Sequence, residues 1–172
     1  VHEAGGKVIV SGFHGQFDAM GDLLDLFNRA GNPEAENPAA WHGVGHKLWN
    51  YANPQTPPEN PELYRRNYGL LLWRNQYDGG MTYIYYHGWN DFNIPPYRQH
   101  NFIYPTVDGC IDTIQWEGYR EGIDDLRYLA TLQKAIDQAR AQGGAAAEAA
   151  AEAQAFVDTM AVTGDLYELR RE

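Results

Sequence analysis

Three short apolar stretches recur along the chain and alternate with longer amphipathic ones. The β-branched stretch "KVIVSG", residues 7–12, is bounded by glycines and predicts a buried strand. "HKLWNYA", residues 46–52, alternates between apolar and polar positions and predicts a second strand, and "MTYIYYHG", Met81–Gly88, predicts a third. The strands start about 35 to 40 residues apart, which is the spacing of βα units in a parallel sheet.

Helical spacing of apolar residues fills the intervals between these strands. The apolar positions of residues 17–27 fall on one helical face, and Gly31 stands where a C-terminal cap belongs. Asn60 followed by Pro61 predicts the start of a second helix, which ends before the glycine pair 79–80.

A long connection and two helices complete the pattern. Residues 89–110 exceed the usual length of a loop, which favours a functional loop over a simple linker. Residues 111–142 carry helical spacing, although Gly118 and Gly122 weaken the first turns. The Ala/Glu-rich end predicts a final helix over Ala145–Met160, followed by a tail.

This order predicts an α/β protein, a partial (β/α) barrel of about three parallel βα units followed by C-terminal helices. Residues 1–142 form the barrel portion, and residues 143–172 form the Ala/Glu-rich helix and tail. Three strands do not close a barrel, which needs about eight. We therefore expect the sheet to be completed either in a homo-oligomer or by the remainder of a larger chain.

Composition narrows the list of partners and cofactors. The net charge of −10 argues against a nucleic-acid partner, and no apolar run is long enough to predict a membrane partner. Cys110 is the only cysteine, which excludes an intrachain disulfide and a CxxC metal site. His42 and His46 are four residues apart and leave a zinc site as an alternative, but the glycines between them argue against a helix there. We expect no cofactor.

The segment "YPTVDGCIDTIQWEGYREGIDDLRYL", residues 104–129, resembles the end of bacterial glycoside-hydrolase-like barrels of family 123 and the related DUF4091 type. Residues 47–55 and 64–91 resemble the two preceding βα units of such barrels. The resemblance implies the C-terminal part of a (β/α)8 barrel that hydrolyses glycosidic bonds without a cofactor. It favours a secreted or periplasmic bacterial protein. Family 123 enzymes use an adjacent Asp-Glu pair on an earlier part of the barrel, and this sequence contains no such dipeptide.

The carboxyl ends of the strands are the working face of a (β/α) barrel, which selects the candidate site. Residues near these ends combine flat aromatic rings with amides and an imidazole, a mixture that suits the C–H faces and hydroxyls of sugars. The partner predicted from them is an oligosaccharide or glycan. The candidate substrate-binding residues are His14, Trp49, Tyr51, Tyr86, Trp89 and Asn90.

Two carboxylates are candidates for catalysis. Asp91 has the best position, with a turn or a helix cap as the alternative role. Glu117 lies beside Trp116, where an apolar neighbour raises a carboxyl pKa, and its alternative role is an ion pair with Arg120. The charged residues 120–125 are interpreted as tying the last helix to the barrel wall. The alternative to an enzyme is a non-catalytic carbohydrate-binding module, or a self-associating partial barrel with a structural role.

Overall fold

The computed structural model describes residues 1–52, 60–82, 85–86 and 101–160. A four-stranded parallel sheet lies at its centre, with the strands in the order in which they follow along the chain. The strands of this sheet are β1 (Ile9–Gly12), β2 (Leu26–Ala30), β3 (Lys47–Tyr51) and β4 (Gly79–Gly80). A separate antiparallel hairpin pairs β5 (Ile103–Pro105) with β6 (Cys110–Asp112). The α-helices are α1 (Gln16–Met20), α2 (Pro38–Gly43), α3 (Pro61–Tyr68), α4 (Leu70–Arg74), α5 (Ile114–Gln142) and α6 (Gly144–Thr159).

The two faces of the parallel sheet differ in what covers them. Val10, Phe27 and Leu48 are register partners on one face, which we call the helix-covered face. Phe27 stacks on Trp41 of α2 at 4.9 Å between ring centroids, and Tyr64 of α3 belongs to the same core. Burial of these rings is the main free-energy gain that holds the helices to the sheet.

The opposite face of the sheet, which we call the open face, carries the residues that alternate with this core. Ile9 and Ser11 of β1 and Lys47 of β3 are exposed on it, whereas Trp49 and Tyr51 are half-buried. Sequential parallel strands joined by right-handed crossovers place their helices on a single face, which explains the asymmetry.

The prediction of a helix over residues 17–31 was wrong. Only Gln16–Met20 is α-helical, a 3-10 turn follows at Gly21–Leu23, and Leu26–Ala30 is strand β2 between β1 and β3. Phe27 and Arg29 point to one face of the sheet and Asn28 to the other, and all three are buried. Because two of these buried residues are polar, the hydrophobic pattern of the sequence does not identify the strand. The sheet has four parallel strands rather than about three for the same reason.

The third predicted strand also begins earlier than expected. β4 pairs with β3 at Gly79 and Gly80. The sequence had indicated these two glycines as the end of a helix. The Met81 N–H continues the pairing by donating to the Asn50 carbonyl at 2.8 Å. Residues 83–84 and 87–88 of the predicted strand lie outside the described residues. The strand predicted over residues 46–52 is confirmed as β3.

The predicted helix that begins at Asn60 is present but divided. The Asn60 side chain accepts a hydrogen bond from the Glu62 N–H at 3.1 Å, as an N-cap does. A break at Gly69 separates α3 from α4, where a Cβ would stand 2.5 Å from the Arg65 carbonyl oxygen and 2.9 Å from that of Gly122. The final helix, predicted over Ala145–Met160, is confirmed as α6.

Helix α5 packs on α3 and is joined to it by charge. Arg65 donates two hydrogen bonds to the Asp125 carboxylate, at 2.6 and 2.7 Å, and its pKa is raised chiefly by this contact. Of the residues 120–125 that were interpreted as tying this helix to the rest of the fold, Asp125 joins α5 to α3; the barrel wall itself stays a prediction. Among the described residues, no helix has the length and apolar character needed to span a bilayer.

Candidate functional site

One row of side chains crosses the open face near the middle of the strands. Ser11, Asn28, Trp49 and Gly79 are successive register partners from β1 to β4. The Asn28 amide donates to the Ser11 hydroxyl at 3.0 Å. Its Oδ1 atom is buried and has no hydrogen-bond partner among the described residues. A buried acceptor without a partner is costly, so this atom marks a place where a donor from a ligand or water is favoured.

Trp49 supplies the aromatic surface of the row. A Cβ built on Gly79 would stand 2.9 Å from both Cε2 and Nε1 of Trp49, so the indole lies directly across β4. Glycine is the residue that permits this approach. Tyr51 lies two positions further along β3, on the same face of the sheet, and both rings are half-buried. The row and the neighbouring Tyr51 therefore combine two aromatic rings, a hydroxyl and an amide.

Asn50 holds the strand ends behind this row. It is fully buried on the helix-covered face and donates to the carbonyls of Arg29 at 3.1 Å and Gly31 at 2.8 Å. The Gly31 N–H in turn donates to the Tyr51 carbonyl at 2.8 Å, and a positive φ of 79° lets the glycine make this turn. Asn50 thus fixes where β2 and β3 end, and with them the positions of Asn28 and Tyr51.

The loop after β2 adds polar groups on the helix-covered side. The Tyr77 hydroxyl donates to the Pro33 carbonyl at 3.0 Å, and burial raises the pKa of this tyrosine. Glu36 accepts a hydrogen bond from the Trp41 indole at 3.3 Å, while its second carboxylate oxygen is buried without a partner. These contacts assign Glu36 to the packing of the loop against α2.

The structure brings two of the six predicted substrate-binding residues together. Trp49 and Tyr51 lie on the open face, as described above. His14 is exposed in the turn after β1. Tyr86 is partly buried against the core on the helix-covered side. Trp89 and Asn90 lie outside the described residues, as does the predicted catalytic Asp91.

Glu117 has the structural role that was its alternative. It lies in the first turn of α5 and receives hydrogen bonds from Arg120, with Nε and Nη2 both 2.8 Å from Oε2. Both side chains are about half-exposed. The contact with Glu117 raises the pKa of Arg120. The indole of the neighbouring Trp116 is stacked near Tyr119 within the core instead of facing the open side.

Sequence reasoning missed Asn28, and with it the row. The stretch "LFNRAGNP", residues 26–33, does contain the signal, because Leu26, Asn28 and Ala30 alternate with Phe27 and Arg29 before a Gly-Asn-Pro turn. The helical spacing that begins at residue 17 obscured it.

The histidines predicted as an alternative zinc site have other partners. His42 Nε2 is 3.0 Å from the Asp78 carboxylate, and His46 Nδ1 is 2.7 Å from the Gly21 carbonyl oxygen. Within the described ranges, no group of three or more His, Cys, Asp or Glu side chains could hold a metal ion.

Comparison with known proteins assigns no role to the residues of this site. The chain matches no protein-family model, no curated protein and no solved structure.

Proposed function

We propose that this chain is a carbohydrate-binding protein built as a partial glycoside-hydrolase-like (β/α) barrel, and that it binds glycans on the open face of its sheet. The observation that carries the proposal is the row Ser11–Asn28–Trp49, in which an indole face lies beside a buried amide oxygen without a partner.

The topology supports the barrel part of this proposal. The alternative arrangement of parallel strands and helices is the doubly wound sheet. In that sheet the strand order reverses, and helices cover both faces. Here the order is sequential and the core lies on one face, which is the arrangement of consecutive units in a (β/α)8 barrel. The open face then corresponds to the inner wall of the barrel, and Tyr51, the last residue of β3, lies toward the end where such barrels bind their substrates.

The chemistry of the row matches a sugar ring. The C–H face of a pyranose stacks on an indole, and the half-buried Trp49 offers that surface. A sugar hydroxyl donates to the Asn28 Oδ1 atom and satisfies the buried acceptor. The Ser11 hydroxyl, which already accepts from Asn28, can donate to a ring or glycosidic oxygen.

Binding without hydrolysis is the activity that the described residues support best. A glycosidase needs two carboxyl groups about 5 to 10 Å apart across the sugar. Glu117 is paired with Arg120 in the first turn of α5, outside the sheet row, and we do not propose it as one of them. Hydrolysis that depends on Asp91 stays a prediction. Loss of aryl-glycoside hydrolysis in Asp91→Asn but not in Glu117→Gln would establish it.

Calorimetric titration with a panel of oligosaccharides tests the proposal. We expect saturable binding to at least one glycan, and Trp49→Ala should weaken it by about 2 kcal/mol, or roughly 30-fold. Tyr128→Ala is the matched control, because Tyr128 is an aromatic residue 79% exposed on α5, whereas the row lies on the parallel sheet. Absence of binding across the panel, or equal losses in both variants, would refute the proposal.

A further inference from the structure

The chain contains two copies of one short motif at the start of alternate strands. "HEAGGKV", residues 2–8, and "HGVGHKL", residues 42–48, share histidine, glycine, lysine and a final apolar residue at the same spacing. Gly5 and Gly45 both adopt a left-handed backbone, with φ of 74° and 81°. Each of their N–H groups donates to the carbonyl of its own histidine, at 2.8 and 2.9 Å.

In the first copy, all of the polar groups meet one carboxylate. Asp25, immediately before β2, accepts from the Val8 N–H at 2.7 Å and from Lys7 Nζ at 3.1 Å. His2 Nε2 lies 2.9 Å from the same Oδ2 atom that the Val8 N–H contacts.

The second copy repeats these contacts atom for atom. Asp78, immediately before β4, accepts from the Leu48 N–H at 2.9 Å through Oδ2 and from Lys47 Nζ at 2.8 Å through Oδ1. His42 Nε2 lies 3.0 Å from the same Oδ2 atom. We call each set of a histidine, a lysine and an aspartate a clamp, and we call residues 2–30 and 42–80 the two units that carry them.

The strand register agrees between the two units. Ile9 lies opposite Leu26 in the first unit, and the equivalent residue Trp49 lies opposite Gly79 in the second. The repeat thus extends from the clamp through both strands of each unit.

The junction between the units is an interface between two similar bodies. Leu26 of the first unit pairs with Lys47 of the second, and Asn28 pairs with Trp49. The Lys47 N–H donates to the Asp25 carbonyl at 3.0 Å. In this interface the second strand of one unit meets the first strand of the next, so the contact is head-to-tail and can be repeated.

We propose that a second copy of this chain completes the sheet by repeating that junction, with β4 of one protomer beside β1 of its partner. β4 and β1 are the two edges of the described parallel sheet. On the free side of β4 the Gly80 carbonyl accepts from the Tyr119 hydroxyl at 3.2 Å, and its second lone pair would accept from the partner's Ile9 N–H. Equivalence with the internal junction sets the register: Gly79 faces the partner's Lys7, and Met81 faces the partner's Ile9. The Lys7 N–H then donates to the Asp78 carbonyl across the interface.

Two observations support a second copy as the occupant of these edges. Two copies bring four units and eight parallel strands together, which is the number that closes a (β/α) barrel. The two residues that meet in the derived register are both exposed apolar side chains, Ile9 at 62% and Met81 at 38%. Pairing would cover them and remove the open edges, which otherwise favour aggregation.

A second copy would also complete the candidate site. The row Ser11–Asn28–Trp49 forms a wall on one side only, and the partner's open face would supply the opposite wall. The inference rests on the repeat and on strand pairing, and it is independent of the ligand. Loss of glycan binding in a dimer would refute the carbohydrate proposal alone, whereas glycan binding by a monomer would refute the dimer alone.

Light scattering on the full chain provides the first test. We expect a dimer of about 39 kDa, twice the 19.5 kDa of the chain, which Ile9→Asp converts to a folded monomer with an unchanged circular-dichroism spectrum. A monomeric parent protein overturns the proposal, and strands of a different polypeptide segment would then have to pair with β1 and β4. Open-ended polymers also overturn it, because the junction would then not close.

Disulfide trapping provides the second test and does not depend on a destabilising variant. In a Cys110→Ser background, Ile9→Cys with Met81→Cys should form a covalent dimer under mild oxidation. The two positions lie at opposite edges of four strands and are offset by four residues along them, so they are about 20 Å apart within one protomer, which is too far for an internal disulfide. The control pair is Ile9→Cys with Tyr128→Cys, for which no covalent dimer is expected. Equal trapping in both pairs overturns the proposed register.

Discussion

The α-carbon of Gly118 lies against the carbonyl group of Pro61, where α5 crosses the first turn of α3. A Cβ at Gly118 would stand 2.1 Å from the Pro61 oxygen, and one at Gly122 would stand 2.7 Å from the Arg65 oxygen. The two glycines form a groove in α5 that accepts the backbone of α3. The Arg65–Asp125 pair closes the same contact one turn further along α5.

Gly118→Ala should therefore destabilise the protein, although alanine is the better helix former. Relief of the clash requires the two helices to separate, and overpacking of this kind costs about 1 to 3 kcal/mol. This cost exceeds the gain in helix propensity of about 1 kcal/mol. Urea denaturation followed by circular dichroism measures the difference. Gly109→Ala is the control, because nothing lies within 4 Å of its added Cβ. A stabilised Gly118→Ala variant would contradict the packing role.

Acid should weaken the two clamps, which lie at the amino ends of the strands. Hydrogen bonds from the Val8 N–H, His2 and Lys7 hold the pKa of Asp25 well below its usual range. Partial burial acts to raise the pKa of Asp78, but hydrogen bonds from Lys47, the Leu48 N–H and His42 outweigh it and lower the pKa. A carboxylate with a lowered folded-state pKa stabilises the protein above its unfolded-state pKa, near 4. That stability is lost as the pH falls through the folded-state value.

The free energy of unfolding is thus expected to fall below about pH 4. Asp78→Asn should lower it at pH 7 by about 1 kcal/mol, a modest figure because solvent screens the partly exposed pair. It should also flatten the acid limb of a plot of melting temperature against pH. Asp137→Asn serves as the control, since Asp137 is 61% exposed and its salt bridge is with Arg140 on the same helix. A steep, unchanged acid limb in Asp78→Asn would show that other groups control acid unfolding.

The sequence was informative where one physical signal dominated. The β-branched and alternating stretches located β1 and β3, and an Asn-Pro cap located α3. Ala-rich helix propensity located α6 in the same way. Each of these signals is local, so a single sequence is enough to detect it.

The errors arose where long-range contacts determined the local structure. β2 is a strand because it completes a ladder between β1 and β3, and its polar residues Asn28 and Arg29 are buried by that pairing. Gly118 and Gly122 were expected to weaken α5, but the helix runs through them because the close approach of α3 requires them. The row proposed as the binding site depends on register across four strands, which no local pattern contains.

Gly79→Ala should disturb the candidate site more than the fold. The added Cβ would stand 2.9 Å from the Trp49 indole, and the ring can move toward the open face to relieve the contact. We expect weaker glycan binding, by about 1 kcal/mol or roughly fivefold, and a changed tryptophan emission spectrum. Gly43→Ala is the control, with nothing within 4 Å of its Cβ. Unchanged binding in Gly79→Ala would indicate that the position of the indole does not matter.

Substitutions at two buried asparagines can distinguish a role in glycan binding from a role in stability. Within the part of the chain that the structure describes, the Asn28 side chain donates one hydrogen bond, to Ser11, and its Oδ1 atom has no partner. Asn50 also has a buried Oδ1 atom without a described partner, but its amide donates to the carbonyls of Arg29 and Gly31 and so holds two strand ends together. Removal of a group that is already unsatisfied costs little stability, whereas removal of one that satisfies buried carbonyls leaves those carbonyls unpaired.

Asn28→Ala is therefore expected to change the free energy of unfolding by less than about 1 kcal/mol, while it weakens glycan binding at least tenfold. Asn50→Ala should lower the free energy of unfolding by about 2 kcal/mol or more. Chemical denaturation and calorimetric titration on both variants provide the two measurements. If Asn28→Ala instead lost as much stability as Asn50→Ala and bound glycan normally, the unsatisfied oxygen would have a structural role, and the open face would lose the polar half of its proposed binding site.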